Sequence, residues 1–133
     1  MSDKLHLKIT THEKVIFDSY ADEITLRGAQ GEFGVLPGHI PFMTTLDIGV
    51  GKVILDGKEQ LITVMGGIFQ LKDNEALILT QSAENAQDID VERANAAKKR
   101  AEQRLKEKSA EIDAQRAEIA LAKAMARLKA TSK

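Results

Sequence analysis

The sequence predicts an α+β fold: an antiparallel β-sandwich or barrel, followed by a two-helix antiparallel hairpin. Three observations carry this. All nine Gly lie between Gly28 and Gly67, both prolines are Pro37 and Pro41, and the last aromatic residue is Phe69. Alanine is distributed the other way, with five in residues 1–87 and twelve in residues 88–133. The apolar period also changes, from alternation before Glu84–Ala97 to helical spacing after it. The boundary falls at 84/85, giving a β domain over 1–84 and a helical domain over 85–133.

The β elements follow in order. Leu5-His6-Leu7-Lys8-Ile9 alternates apolar and polar, the signal of a half-buried strand, and Val15–Phe17 and Ile24–Leu26 continue it. Gly28–Glu32 is a loop, and Phe33–Leu36 is a short strand running into Pro37-Gly38-His39-Ile40-Pro41. Two prolines around a glycine fix a rigid turn, because each locks its own φ and restricts its predecessor. Phe42–Leu46 and Val50–Leu55 read as two strands. Asp56-Gly57 is a tight-hairpin signal, and Glu59–Met65 is the return strand. Gly66-Gly67 marks a bulge or a close approach by another backbone. Ile68–Lys72 alternates, Asp73-Asn74 turns, and Ala76–Thr80 closes the set. Closely spaced short strands without helical crossovers exclude a parallel α/β arrangement.

Two helices are predicted, over about 88–107 and 112–129. Asp88 or Asp90 can cap the first, and Asp90 and Glu92 suit the positive end of its dipole. Ala94, Ala97, Ala101 and Leu105 line one stripe. The break falls at Lys108–Glu111, and Asp113 can cap the second helix. Its stripe is Ala114, Ala117, Leu121, Ala124 and Leu128, an a/d seam. Alanine forms helix readily but brings little surface, so two such helices form easily and pack on each other modestly.

Composition narrows the function. No apolar run is long enough to span a bilayer, and the N-terminus lacks an apolar signal region. Cysteine is absent, which removes disulfides, thiolate catalysis and Cys-based metal sites. His6, His12 and His39 have neither metal-ligand spacing nor a nearby nucleophile, so no metal site and no catalytic set is expected. Gly28-x-x-Gly31-x-x-Gly34 lacks the Lys-Ser/Thr ending of a phosphate loop, and turns explain it. Residues 1–87 hold 7 Lys+Arg against 12 Asp+Glu, while residues 88–133 hold 12 against 8. The basic tail can therefore lie against an acidic surface or an anion. It carries no aromatic stacking residue, which counts against nucleic acid. Arg93 and Arg100 share one helix face, and Arg116, Lys123 and Arg127 share another. A solvated basic face is the plain explanation, and an anion site is the alternative.

Gly31-Glu32-Phe33-Gly34-Val35-Leu36-Pro37-Gly38-His39-Ile40-Pro41 is similar to the signature loop of the epsilon subunits of the F-type ATP synthase. Gly66-Gly67-Ile68-Phe69 resembles that family's second glycine element, and the order of sandwich and Ala-rich hairpin resembles its architecture. The resemblance covers nearly the whole chain. It implies a non-catalytic subunit of the central rotor stalk, peripheral on the cytoplasmic face of the bacterial plasma membrane, with no membrane insertion of its own. The sandwich would hold the gamma subunit and sit on the c-ring through Glu32, Leu36 and His39. The hairpin would lie folded or extend towards the catalytic beta and alpha subunits and inhibit ATP hydrolysis.

Ile89-Asp90-Val91-Glu92-Arg93-Ala94 also resembles the ATP-binding motif of some bacterial members. Position by position, the resemblance implies a binding set of Glu84, Ile89, Asp90, Arg93, Ala94, Arg100, Lys123 and Arg127. Lys123 departs from the arginine such members carry, and a lysine lacks the planar fork that grips phosphate oxygens. ATP would be a regulatory ligand, and no cofactor is required. A stand-alone adaptor with a helical arm is the rival reading.

Overall fold

The computed structural model describes residues 4–107 and 111–131. Eight strands come first: β1 (Leu5–Thr10), β2 (Val15–Ala21), β3 (Glu23–Gly28), β4 (Gly31–Val35), β5 (Phe42–Leu55), β6 (Lys58–Lys72), β7 (Glu75–Leu79) and β8 (Ala83–Asn85). A 3-10 turn at Ala86–Asp88 leads to α1 (Val91–Lys106) and α2 (Glu111–Thr131). The strands connect in the order β2-β1-β7-β6-β5-β3-β4, with β8 on β6. Every ladder is antiparallel except β1 with β7, which is parallel. The β domain followed by a helical pair is the architecture expected from the sequence.

β5 and β6 are each a single long strand where shorter pieces were expected. Their register passes from Leu46↔Gly67 to Ile48↔Met65, skipping Asp47 and Gly66 together. The register is unchanged on either side of that gap, so both strands continue through it instead of stopping. Their far ends pair with different neighbours: β6 meets β7 at Ile68–Lys72 and β8 at Ile62–Val64. Asp56 and Gly57 both take positive φ, 52° and 79°, as a tight hairpin requires. Asp22 Oδ2 accepts from Asp56 N at 2.8 Å and Lys4 Nζ donates to Asp22 at 2.5 Å, pinning that end. The Gly28-x-x-Gly31 pattern closes a two-residue turn, with Gly28 paired to Gly31.

Alternation decides the core. Leu5, Leu7 and Ile9 of β1 are fully buried, as are Ile24 of β3, Phe69 and Leu71 of β6 and Ile78 of β7. Phe33, Phe42 and Phe69 form a triangle of ring contacts with centroids 5.4 to 5.7 Å apart. Most of the aromatic area the chain owns is spent there.

Asp90 caps α1, its Oδ1 accepting from Arg93 N at 3.1 Å. The other expected cap, Asp88, ends the 3-10 turn instead. The break at Lys108, Ser109 and Ala110 lies outside the described residues. α2 starts at Glu111, so Asp113 sits within its first turn rather than before it. Ala94 and Ala101 of α1 and Ala117 and Ala124 of α2 are buried, with Leu105, Leu121 and Leu128 half-buried beside them. α2 has a second buried pair, Ala126 and Ala130, on a different face. α2 packs on β5, β6 and the 3-10 turn as well as on α1.

His6 ties three strands on the outer face of the sheet. Its Nε2 lies 2.5 Å from Asp18 of β2 and its Nδ1 lies 2.7 Å from Glu75 of β7. The hydrogen bond to Asp18, then that to Glu75, raises its pKa above the ordinary histidine value. The stabilisation is therefore complete below about pH 6.5, the unfolded value, and is lost as pH rises through the higher folded value. His6→Gln is expected to lower the melting temperature at mildly acidic pH and to converge with the parent as the pH rises through the raised folded value. A constant difference across the whole range would contradict it.

Candidate functional site

The joint between the two domains is built from β8 outward. Thr63 of β6 is fully buried and donates through Oγ1 to the Glu84 carbonyl at 3.4 Å. With the Thr63↔Glu84 pairing, this fixes where β8 ends. Asn85 Oδ1 then accepts from Gln87 N at 3.1 Å, starting the 3-10 turn. Ile89 is buried, and Asp90 opens α1 immediately after it. Five residues thus carry the chain from a strand to a helix with little slack.

At this junction lies a cavity of about 350 Å³ lined by Glu84, Asp88, Asp90, Arg93, Ala94, Ala97, Arg100 and Arg127. Three elements meet there: β8 brings Glu84, α1 brings Arg93 and Arg100 from its first three turns, and α2 brings Arg127. Arg127 Nε donates to Glu84 Oε1 at 2.5 Å, with both side chains about one-third exposed. Among the described residues, the guanidinium groups of Arg93 and Arg100 have no hydrogen-bonding or ion-pair partner. Asp90 is occupied by its cap, and Glu84 by Arg127. Two uncommitted planar forks, above the N-terminus of a helix, favour an anion with several oxygens. The carboxylates of Glu84, Asp88 and Asp90 in the same lining favour donors such as an amino group.

Of the expected set, Glu84, Asp90, Arg93, Ala94, Arg100 and Arg127 line this cavity and Ile89 and Lys123 do not. Ile89 is buried beside it. Lys123 Nζ donates to Gln81 Oε1 at 3.2 Å. Arg116 is exposed and does not join the cluster. Asp88 and Ala97 line the cavity without having been expected. Asp88 has the signal of a carboxylate two residues before the cap, but the 3-10 turn that aims it has no clear sequence mark. A larger open cleft of about 860 Å³ runs between β2, the β5–β6 hairpin and the end of α2. Its walls are mixed, including Phe17, Tyr20, Leu61 and Gln87, and gather no cluster of like charges.

The signature loop is the tip of the sandwich. Gly38 N donates to Asn74 Oδ1 at 2.8 Å and His39 N to the Leu36 carbonyl at 3.2 Å. The His39 ring packs on Phe42 with centroids 4.9 Å apart. Leu36 and Ile40 point outward, 56% and 74% exposed, and Glu32 is exposed on β4. The tip is rigid beneath and apolar on top, which suits a contact with another protein.

Among the described residues no helix is long and apolar enough to cross a membrane. The sequence matches two family models, "ATP synthase, Delta/Epsilon chain, beta-sandwich domain" over residues 4–86 and "ATP synthase, Delta/Epsilon chain, long alpha-helix domain" over residues 87–132. It is 46% identical over 105 residues to an ATP synthase epsilon chain of Nitratidesulfovibrio vulgaris, covering 79% of this chain and 78% of that one. It is 48% identical over 110 residues to the ATP synthase epsilon chain of Desulforamulus reducens, covering 83% of each. Among solved structures it resembles a chain in the Euglena gracilis mitochondrial ATP synthase assembly of OSCP, F1 and c-ring. That match has a TM-score of 0.85 and 26% identity, covering 97% of this chain and 82% of that one. With both halves matched in order, and relatives this similar over most of its length, the chain belongs to the ATP synthase delta/epsilon chain family.

Proposed function

We propose that the chain works as the epsilon subunit of a bacterial F-type ATP synthase, a non-catalytic part of its central stalk on the cytoplasmic face of the plasma membrane. The sandwich holds the gamma subunit and meets the c-ring through the tip that carries Glu32, Leu36 and His39. The hairpin is the regulatory part: folded it leaves rotation free, and extended towards the alpha and beta subunits it brakes hydrolysis. ATP binds the folded form in the cavity at the joint, with its phosphates on Arg93, Arg100 and Arg127 and its base towards Glu84 and Asp88.

The observation that carries the ligand reading is that two unpaired guanidinium groups share a cavity with a helix N-terminus. Among the described residues neither guanidinium is engaged in an ion pair or hydrogen bond, and the oxygens of a polyphosphate offer both of them charge-assisted hydrogen bonds. Because the cavity is walled by β8, α1 and α2 together, a ligand there exists only while the hairpin is docked. Linkage then stabilises the docked form by RT ln(1 + [L]/Kd), about 2.7 kcal/mol at a hundred times Kd. Calorimetric titration of the isolated chain with ATP is expected to show one saturable site. No heat and no amide shift at about millimolar ATP, where one site of physiological use must respond, would remove ligand sensing from this reading.

A further inference from the structure

We infer that the hairpin leaves the sandwich as a closed unit, released by a two-point latch made of Glu84–Arg127 and Gln81–Lys123. This rests on the hairpin being the mobile part, but not on nucleotide binding. Two adjoining segments hold the latch. Gln81 and Glu84 lie three apart before the joint, and Lys123 and Arg127 lie one helical turn apart on α2, so each donor meets its own acceptor. A slip of α2 by one turn would break both bonds together.

The order of release follows from what each face of α2 buries. α1 packs principally on α2, and α2 in turn packs on β5, β6 and the 3-10 turn. α2 is therefore the layer through which the hairpin touches the sandwich. α1, which packs on α2, carries buried Ala94 and Ala101 with half-buried Leu105, and one face of α2, along its length, carries buried Ala117 and Ala124 with half-buried Leu121 and Leu128. Its other buried pair is Ala126 and Ala130, confined to its last turns. Leucines bury several times the area of an alanine methyl, so the α1–α2 seam outlasts the α2–sandwich contact. What remains on the sandwich side is the polar latch, and its charged pair is partly exposed and open to salt. Once the latch parts, Ile89–Asp90 is the connection on which the closed hairpin turns.

The chain has no cysteine, so spin labels can be placed at will. Lys72→Cys on β6, Glu102→Cys on α1 and Glu118→Cys on α2 give one distance from sandwich to hairpin (72–118) and one within the hairpin (102–118), both measured without nucleotide. Glu84→Ala with Lys123→Ala is expected to raise the long-distance population of 72–118 roughly fivefold or more, while 102–118 keeps a single peak. The exchange Glu84→Arg with Arg127→Glu is expected to restore most of the 72–118 distribution, which a loss of packing alone would not do. In the labelled chain with the latch residues intact, salt raised from about 0.05 to about 1 M should move 72–118 and leave 102–118 alone. An unmoved 72–118 in both the variant and the salt series overturns the latch. Broadening of 102–118 in step with 72–118 overturns release as a unit. Neither result alters the ATP titration, which is read by heat on the unlabelled chain.

Discussion

Replacing Gly67 with alanine is expected to cost the sandwich about 3–5 kcal/mol, and to lower its melting temperature by on the order of 20 °C. Two separate penalties combine. Gly67 has φ 121°, a region a side chain avoids. A Cβ there would also lie 2.0 Å from the Leu79 carbonyl oxygen and 2.9 Å from Thr80 Cα. Both obstacles are backbone, so no rotamer change relieves them. Leu79 is the partner of Ile68 in the β6–β7 ladder, and moving it away breaks the pairing that seals Phe69 and Ile78 into the core. Gly57→Ala is the control: it carries positive φ of 79° with nothing within 4 Å of the added carbon, so backbone strain of about 1–2 kcal/mol is all it pays. Thermal unfolding of the two variants side by side checks the claim. Equal losses would mean that the close approach of the strands contributes nothing.

That contrast also shows what the sequence could and could not reveal. A Gly-Gly pair between two alternating runs announces a bulge or a close approach, and the structure has the close approach: Gly67 lies against the Leu79 carbonyl, while the β5–β6 register runs past both glycines without a shift. Asp56-Gly57 and Asp73-Asn74 announce turns because their chemistry is local. The parallel pairing of β1 with β7 is not local: it joins His6 to Glu75, and nothing in either segment names its partner. β8 escaped notice because three residues are too few for a period. The joint divides the same way. Arg93 and Arg100 share a face by spacing alone, and Asp90 is a cap by residue type. Ala126 and Ala130 look like ordinary helix formers until α2 is laid on β5 and β6. The same docking turns Lys123 to Gln81, away from a cavity that spacing could not draw.

Arg93→Ala and Arg100→Ala are each expected to weaken ATP binding about tenfold or more, and the pair together about a hundredfold, since each removes a charge-assisted hydrogen bond worth roughly 1.5–3 kcal/mol. Neither guanidinium has another partner among the described residues, so neither substitution breaks a hydrogen bond or ion pair of the unliganded chain. Helix α1 should be untouched, because its cap runs from the Asp90 side chain to the Arg93 backbone N–H, which alanine keeps. Stability without nucleotide is therefore expected to stay within about 0.5 kcal/mol of the parent. Arg127→Ala is different in kind, because it also opens the bond to Glu84 and leaves that carboxylate unpaired beside the cavity. It should lower both the affinity and the docking of the hairpin. Lys123→Ala, whose amine is held on Gln81, should reduce affinity less than Arg100→Ala does. Calorimetric titration of the four variants ranks them directly. A Lys123 variant that loses more than the Arg100 variant would place the phosphates outside this cavity, on the side of Lys123 and Gln81.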